Sequence, residues 1–462
     1  MKYTSSGVSE LKIAYVGGGS RGWAWGLMSD LVSAKDISGE VALYDIDREA
    51  ALHNVQIGNA YNNAEGAQSV WSYRAAESLG DALTGADFVV ISILPGTFDE
   101  MESDVHTPEK YGIYQSVGDT SGPGGIVRAL RTLPMIEEIA EAIKAYAPNA
   151  WVINYTNPMT VIVDTLYRVF PKIKAFGCCH EVFGTQKLLA SMIEDFHGET
   201  LATHRDVKVD VTGVNHFTWL TGAHYKDYDL FADYERFTAI HYETGYLKGK
   251  DENWMNNFFS CSHRVKFDLF RRYGAIAAAG DRHLAEFCPG KWYLESPERA
   301  RSWGFGLTPV SWRKNDLLRR LKKSEDLRSG ELPIKLRPTG EDGVSQIRAL
   351  LGLGDLVTNV NLPNVGQIPN LPIGAVVETN AAFRRDSVTP VATGAIPREI
   401  YPLISRISCE QQLIVDAVRE RDLELAFLAF VNDPLVTIPH GDARKLFDEM
   451  VENTRPYLKS YF

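Results

Sequence analysis

Short, continuous apolar runs alternate with longer stretches of helical spacing through the first 200 residues. Residues 11–16 read as a buried strand. From about 20 to 34 the apolar positions recur at helical spacing. Residues 41–44 read as a second strand, and 88–94 (FVVISIL) as a third. A long helical pattern follows over about 125–146. Trp151–Asn154 is strand-like again, and Pro158 falls where a helix's first turn tolerates a residue without an N–H. Residues 173–177 form a further apolar run, with a helix predicted near 185–196. Strands that alternate with helices of this length predict parallel βαβ units, because a parallel pair needs a crossover connection and a helix supplies it.

Beyond about residue 200 the alternation stops. Residues 207–211 still read as a strand, and helices are predicted around 253–273 and 407–431. The stretch 314–343 is crowded with charge, glycine and proline and reads as an exposed, mobile excursion. Two domains are expected, 1–200 and 201–462, the second of mixed α+β character and carrying substrate, metal and oligomer contacts.

Composition narrows the setting. The 462 residues are 45% hydrophobic and 23% charged, ordinary for a globular protein. No run approaches the roughly 18 apolar residues of a membrane span, and the first twenty residues lack a signal-peptide pattern. Five cysteines, with Cys178 and Cys179 adjacent, are too sparse for a disulfide framework and suit a reducing cytoplasm. A net charge of −11 argues against nucleic acid or an anionic membrane as the main partner.

Candidate chemistry collects at the ends of the predicted strands. Gly17-Gly18-Gly19-Ser20-Arg21-Gly22 follows the first strand and opens a helix, where bare backbone and a helix N-terminus suit a pyrophosphate. Asp45 ends the second strand, where an acid binds ribose hydroxyls and disfavours a 2′-phosphate, pointing to NAD. A strand–turn–helix connection with a surface Asp is the plainer reading. The implied fold class is α/β: an N-terminal Rossmann-type, doubly wound parallel sheet followed by a mixed α+β domain. A second glycine-rich loop, Gly118-Asp119-Thr120-Ser121-Gly122-Pro123-Gly124-Gly125, leads into the long helix; a capped tight loop is its bland alternative. Asn154 and Asn157 leave the fourth strand and suit sugar or ribose hydroxyls, or simply a turn. Cys178-Cys179-His180-Glu181 leaves the fifth, and Asn215-His216-Phe217 ends the next strand-like run. A Cys and a His meeting there suit a divalent metal, although buried thiols and a core histidine have the same signature. Gly280-Asp281-Arg282-His283-Leu284-Ala285-Glu286 places four ionisable residues in seven.

Taken together, these motifs resemble the NAD- and manganese-dependent enzymes of glycoside hydrolase family 4. The resemblance runs nearly end to end, through GGGSRGW, ISILPG, GDTSGPGGIVRALRTLP, NYTNPM, GCCHE, GVNHFTW, GDRHLAEF and NVNLPNVGQIPNLP. It implies an oxidation–elimination–addition route rather than two-carboxylate chemistry. NAD⁺ takes a hydride from C3 of the sugar, a base removes the acidified C2 proton, the C1 bond breaks, water adds and the hydride returns. By position, Cys179 and His216 match the metal ligands for Mn²⁺. His180 matches the group assisting the leaving oxygen, and Asp281 the C2 base, a position where some relatives carry Tyr. Gly17, Gly19, Ser20, Arg21, Asp45 and Asn154 form the implied cofactor set. Asn157 matches a substrate contact, and Asp119 an acid beside the metal. His180-Glu181-Val182 differs from the Asp and Asn versions that accompany 6-phospho-sugars. With HRVKFDLF and AGDRHLAEF, it resembles the α-galacturonidase branch. A hexuronate needs a cation, for which Arg128, Arg131, Arg282 and Arg301 are candidates. A homodimer or homotetramer is the expected assembly. An α-glucosidase of the same family is the nearest alternative. An NAD-dependent hydroxy-acid dehydrogenase, or a non-catalytic NAD sensor, would share the nucleotide half alone.

Overall fold

The computed structural model describes residues 1–247 and 257–462. Six strands run parallel in the spatial order Lys174–Gly177, Trp151–Asn154, Phe88–Ile91, Gly7–Val16, Ile37–Tyr44, Trp71–Ala75. The chain order reverses on either side of Gly7–Val16, so a crevice opens at the carboxyl ends of that strand and Phe88–Ile91. The strands read as unbroken apolar runs because both faces are covered. Alternate side chains part to opposite faces: Ala14 and Val16 join one core, Ile13 and Tyr15 the other. The first core packs against the helix Gly122–Tyr146 and C-terminal helices; the second packs against Trp23–Ser33 and Arg48–Tyr61.

The sheet does not stop at residue 200. Leu356–Pro363 pairs antiparallel with Lys174–Gly177, and Val376–Arg384 and Ser387–Pro390 extend the same edge. Residues expected in a second domain therefore belong to the first sheet. Periodicity marks a strand but not its partner, which is why this pairing is invisible along the sequence. A separate antiparallel sheet comprises Lys208–Val214, Phe217–Tyr225, Tyr228–Asp229 and Ile276–Ala277.

Other differences have local causes. Residues 48–75, for which the pattern gives no element, hold the helix Arg48–Tyr61 and the edge strand Trp71–Ala75. Asp47 starts that helix by accepting from the Ala50 N–H at 3.0 Å. Pro158 precedes the helix Met159–Val169 as its cap rather than entering its first turn. The predicted helix over 253–273 begins outside the described residues; within them, helix runs only over Arg264–Tyr273. The predicted helix over 407–431 is two, Tyr401–Glu420 and Leu423–Asn432, parted at Arg421 in the left-handed region.

The charged stretch 314–343 is no loose excursion. Val310–Ser329 is a helix rich in Arg, Lys and Leu, good helix formers, with Asp316–Arg320 and Lys322–Asp326 paired one turn apart. Residues 331–342 then form a strap on the first helix: the Arg337 N–H donates to Ser29 at 2.8 Å and the Thr339 N–H to Asp30 at 3.2 Å. Among the described residues, no helix is long and apolar enough to cross a membrane.

Candidate active site

Parallel strands bring the loops after residues 16, 44, 91, 154 and 177 to one edge. In the first loop, the Gly17 and Gly18 N–H groups both donate to the Tyr44 carbonyl at 2.9 Å. Gly17 has φ +95°, and a β-carbon there would overlap the Ser92 carbonyl oxygen. The Gly19 N–H donates to Asp45 at 2.8 Å, and a β-carbon on Gly19 would stand 2.8 Å from the Ala50 methyl. Ser20 closes the turn, its N–H donating to the Gly17 carbonyl at 3.0 Å. Arg21 lies 3.6 Å from Asp47. The helix Trp23–Ser33 starts at Gly22 without a side-chain cap, so its first N–H groups lack that partner. Ile46 is almost wholly exposed beside Asp45. Bare backbone, an uncapped helix start and an acid at the strand end fit a dinucleotide. Arg320, from the charged helix, reaches the same place and donates to the Arg21 carbonyl at 2.8 Å.

Asp119, His216 and His283 form a second group. One ligand-capable atom from each lies within 4.8 Å of the others. His216 occupies the two-residue turn between Lys208–Val214 and Phe217–Tyr225 and adopts φ +63°, an unusual conformation for a residue with a β-carbon. Its ring stacks on His283 with centroids 4.0 Å apart. The Thr120 hydroxyl donates to Asp119 at 2.7 Å and therefore accepts from His216 Nδ1 at 3.0 Å, leaving Nε2 with its lone pair. His283 Nδ1 lies 3.1 Å from Glu181. Burial alone would raise the Asp119 carboxyl; the His283 and His216 imidazoles and the Arg128 guanidinium outweigh it and hold it at about 2. Burial, then His283, pushes His216 down to about 3. An ionised carboxylate and a neutral imidazole are the donor forms a divalent cation takes, so Asp119 and His216 fit Mn²⁺; burial lowers His283, but Glu181 outweighs it and raises its pKa.

Cys179 lies outside that three-residue group. Its thiol is buried, and burial followed by the Glu378 and Glu181 carboxylates pushes it well above its usual value. Its carbonyl accepts from Asn359 at 3.0 Å, and Asn359 also donates to Glu378 at 2.6 Å. His180 begins the helix Glu181–His197 and pairs with Glu341 of the strap at 2.5 Å; that contact, set against burial, raises its pKa. Glu181 turns toward the imidazoles and accepts from the Gly280 N–H at 2.8 Å. His180 and Glu181 also line a cavity of about 220 Å³ with Thr185, Lys187, His263 and Lys266.

The remaining candidates separate by what they already hold. Asp281 is fully buried; Oδ1 accepts from the Lys266 N–H at 3.1 Å, Oδ2 has no partner among the described residues, and burial pushes the carboxyl up to about 7. Asn157 has a buried, unpartnered amide oxygen. Asn154 spends its side chain on its own turn, donating to the Thr156 carbonyl at 2.9 Å and accepting from the Thr156 N–H at 3.1 Å. The arginines expected for a carboxylate are mostly committed. Arg282 donates to the Ser116 carbonyl at 2.6 Å and the Gly306 carbonyl at 3.2 Å, and also to Thr308. Arg131 is ion-paired with Asp104, both side chains wholly buried. Arg301 is exposed on the short helix Pro297–Ser302. Arg128 faces Asp119 electrostatically and donates to the Asn157 carbonyl at 3.2 Å. Residue patterns gave no specific role to His283, Lys266 or Glu341. His283 stood inside a noted cluster, but only folding shows its ring against His216.

The Family 4 glycosyl hydrolase model matches residues 12–195, and that family's C-terminal domain model matches residues 211–436. The chain is 60% identical over 461 residues to the alpha-galacturonidase of Thermoanaerobacterium saccharolyticum, covering 100% of this chain and 99% of that protein. The crystal structure of a Bacillus subtilis protein bearing a glucosidase name superposes with a TM-score of 0.92 at 52% identity, covering 96% of this chain and 100% of that one. At 21% identity, the 6-phospho-beta glucosidase of Thermotoga maritima, solved with manganese, NAD⁺ and glucose-6-phosphate, shares the fold with a TM-score of 0.75, covering 97% of this chain and 99% of that one. The matched ranges span the glycine loop, the imidazole turn and the cluster at 280–286, and the chain belongs to family 4 of the glycosyl hydrolases.

Proposed function

We propose that this chain hydrolyses α-linked galacturonides with NAD⁺ and Mn²⁺ as cofactors. The observation that carries the reading is the full-length 60% identity to a protein of that activity, which spans both the glycine loop and the acid–imidazole group. The manganese and NAD⁺ of the Thermotoga maritima neighbour support the cofactor assignment. When bound, NAD⁺ would supply a hydride acceptor for the sugar, and the metal ion would supply positive charge to stabilise negative charge developing on sugar oxygens.

The chain's own residues supply the rest. Asp119, His216 and His283 would hold the ion, with Cys179 as a further ligand candidate. Asp281 would take the C2 proton: its Oδ2 is buried and unpartnered, and its carboxyl titrates near neutrality, where a base is most effective. His180, kept more basic by Glu341, would donate to the leaving oxygen. The uronate preference is supported by the basic cavity wall, where Lys187 and Lys266 stand with Glu181 as the only carboxylate among the described lining residues.

An α-glucosidase is the second reading, favoured by the name of the Bacillus subtilis neighbour. Nitrophenyl α-galacturonide, α-glucoside, α-galactoside and 6-phospho-glucoside, assayed with and without NAD⁺ and Mn²⁺, separate the two. The expected result is galacturonide cleavage that needs both cofactors and yields no stoichiometric NADH at 340 nm. Net NADH would identify a dehydrogenase, and preference for the glucoside would identify the second reading.

A further inference from the structure

We infer that Lys266 is the residue that recognises the C5 carboxylate of the sugar, a step that rests on the galacturonide reading above. Lys266 lies on the helix Arg264–Tyr273 and is 1% exposed, yet it lines the 220 Å³ cavity beside His180 and Glu181. Its ammonium reaches the Thr185 hydroxyl, and that hydroxyl donates onward to the Ala278 carbonyl at 2.5 Å. Thr185 therefore offers Lys266 a lone pair and takes up one of its three protons. Among the described residues Lys266 has no carboxylate within ion-pair distance; burial lowers its pKa, and Cys261, Asp281 and Glu181 attract it only from farther away.

A buried ammonium with one neutral acceptor is costly, and a carboxylate placed in the cavity would offset that cost. The geometry of the sugar agrees. Glu181 joins the cavity to His283 and hence to the group that would hold the C2 and C3 oxygens. C5 lies across the pyranose ring from C2, so a C5 carboxylate falls on the side away from that group. The arginines are poorer candidates because Arg131 is held by Asp104, Arg282 is held by the Ser116 and Gly306 carbonyls, and Arg301 is at the surface. Arg128, near Asp119, sits at the metal end instead. His263 also lines the cavity.

Lys266→Met tests the inference on the full-length, NAD⁺- and Mn²⁺-loaded enzyme. The galacturonide-to-galactoside ratio of kcat/KM should fall about 10²-fold or more, as when a site built to bind a charged group loses it. The thermal shift produced by free galacturonate, relative to galactose, should vanish, while Lys266→Arg retains part of both. A purely structural lysine would depress both substrates together and leave the ratio unchanged, overturning the inference. If Lys266→Met does not fold, Thr185→Val keeps the charge but removes its anchor. It should raise KM for galacturonide and leave galactose binding unchanged; equal effects would overturn the inference. Failure of the wild-type enzyme to cleave galacturonide would instead reject the substrate reading on which this rests.

Discussion

The nucleotide edge and the acid–imidazole group sit at the same end of one sheet and are built in opposite ways. The edge is made of neighbours in sequence: backbone N–H groups bond to Tyr44 and Asp45, and glycines fill spaces that a β-carbon would overrun. The acid–imidazole group is made of strangers. Asp119, Glu181, His216 and His283 come from four segments, linked by a hydroxyl, a stacked ring pair and an ion pair. The first is a shape that tolerates almost no substitution. The second is a charge arrangement, sensitive to any partner that fixes a tautomer or a proton. In the proposed mechanism, holding a cofactor through a redox-neutral cycle would ask for the former, and steering a proton and polarising an oxygen for the latter.

Steric change should break the edge most severely. In Gly19→Val the branched side chain would meet Ala50 and Asp45, which already lie within 3.0 Å of the β-carbon position. Binding of NAD⁺, followed by quenching of tryptophan fluorescence or by calorimetry, should be lost while Mn²⁺ binding persists. Joint loss of both would show that the two regions are not separable in the way described.

A subtler change should weaken the imidazole group alone. Thr120→Val removes the hydroxyl that fixes the His216 tautomer. Partners of this kind are typically worth about 10–100-fold in metal affinity. Titration with Mn²⁺ followed by electron paramagnetic resonance should show that loss, with NAD⁺ affinity unchanged. Undiminished Mn²⁺ binding would place the ion elsewhere.

The smallest effect concerns the support beneath both regions. Asp433 accepts from the Gly122 N–H at 2.8 Å and so anchors the loop that carries Asp119. Glu410 is buried beside it, and burial, then the Asp433 charge, raises its carboxyl well above the usual 4.5. A raised acid contributes stability that is present below the unfolded value and is lost as pH rises toward the folded one. Glu410→Gln replaces the carboxyl O–H donor with an amide N–H donor and removes the titration. Its unfolding free energy should match the wild type near pH 4.5 and exceed it at higher pH, the gap growing by up to about 1.4 kcal/mol per pH unit. A gap that does not widen with pH would remove Glu410 from this account.

The same contrast decides how far the amino-acid sequence could be read. Gly17, Gly19 and Asp45 were legible because a strand, a glycine turn and a helix start are local, and so was the parallel sheet whose strands are apolar on both faces. The three strands between residues 356 and 390 were not legible as part of that sheet, since pairing with Lys174–Gly177 leaves no periodic mark. The charged helix Val310–Ser329 read as a loop because its apolar stripe is thin, although its residue types favour helix. Lys266 reads as one polar position in an amphipathic helix until Thr185, 81 residues earlier, is folded against it. His180 and Cys179 were singled out by type; that Glu341 holds the one and Asn359 the other depends on the returning strap and strands.

The most direct test of the central claim, that a C–H bond at C2 is broken during hydrolysis, is turnover of nitrophenyl α-galacturonide in D₂O with mass spectrometry and proton NMR of the released sugar. A paired-carboxylate glycosidase leaves ring C–H bonds intact. The account predicts one carbon-bound deuterium at C2 in each product molecule. Hydrolysis that proceeds with protium fully retained at C2, and at the same rate after NAD⁺ is removed, would contradict it.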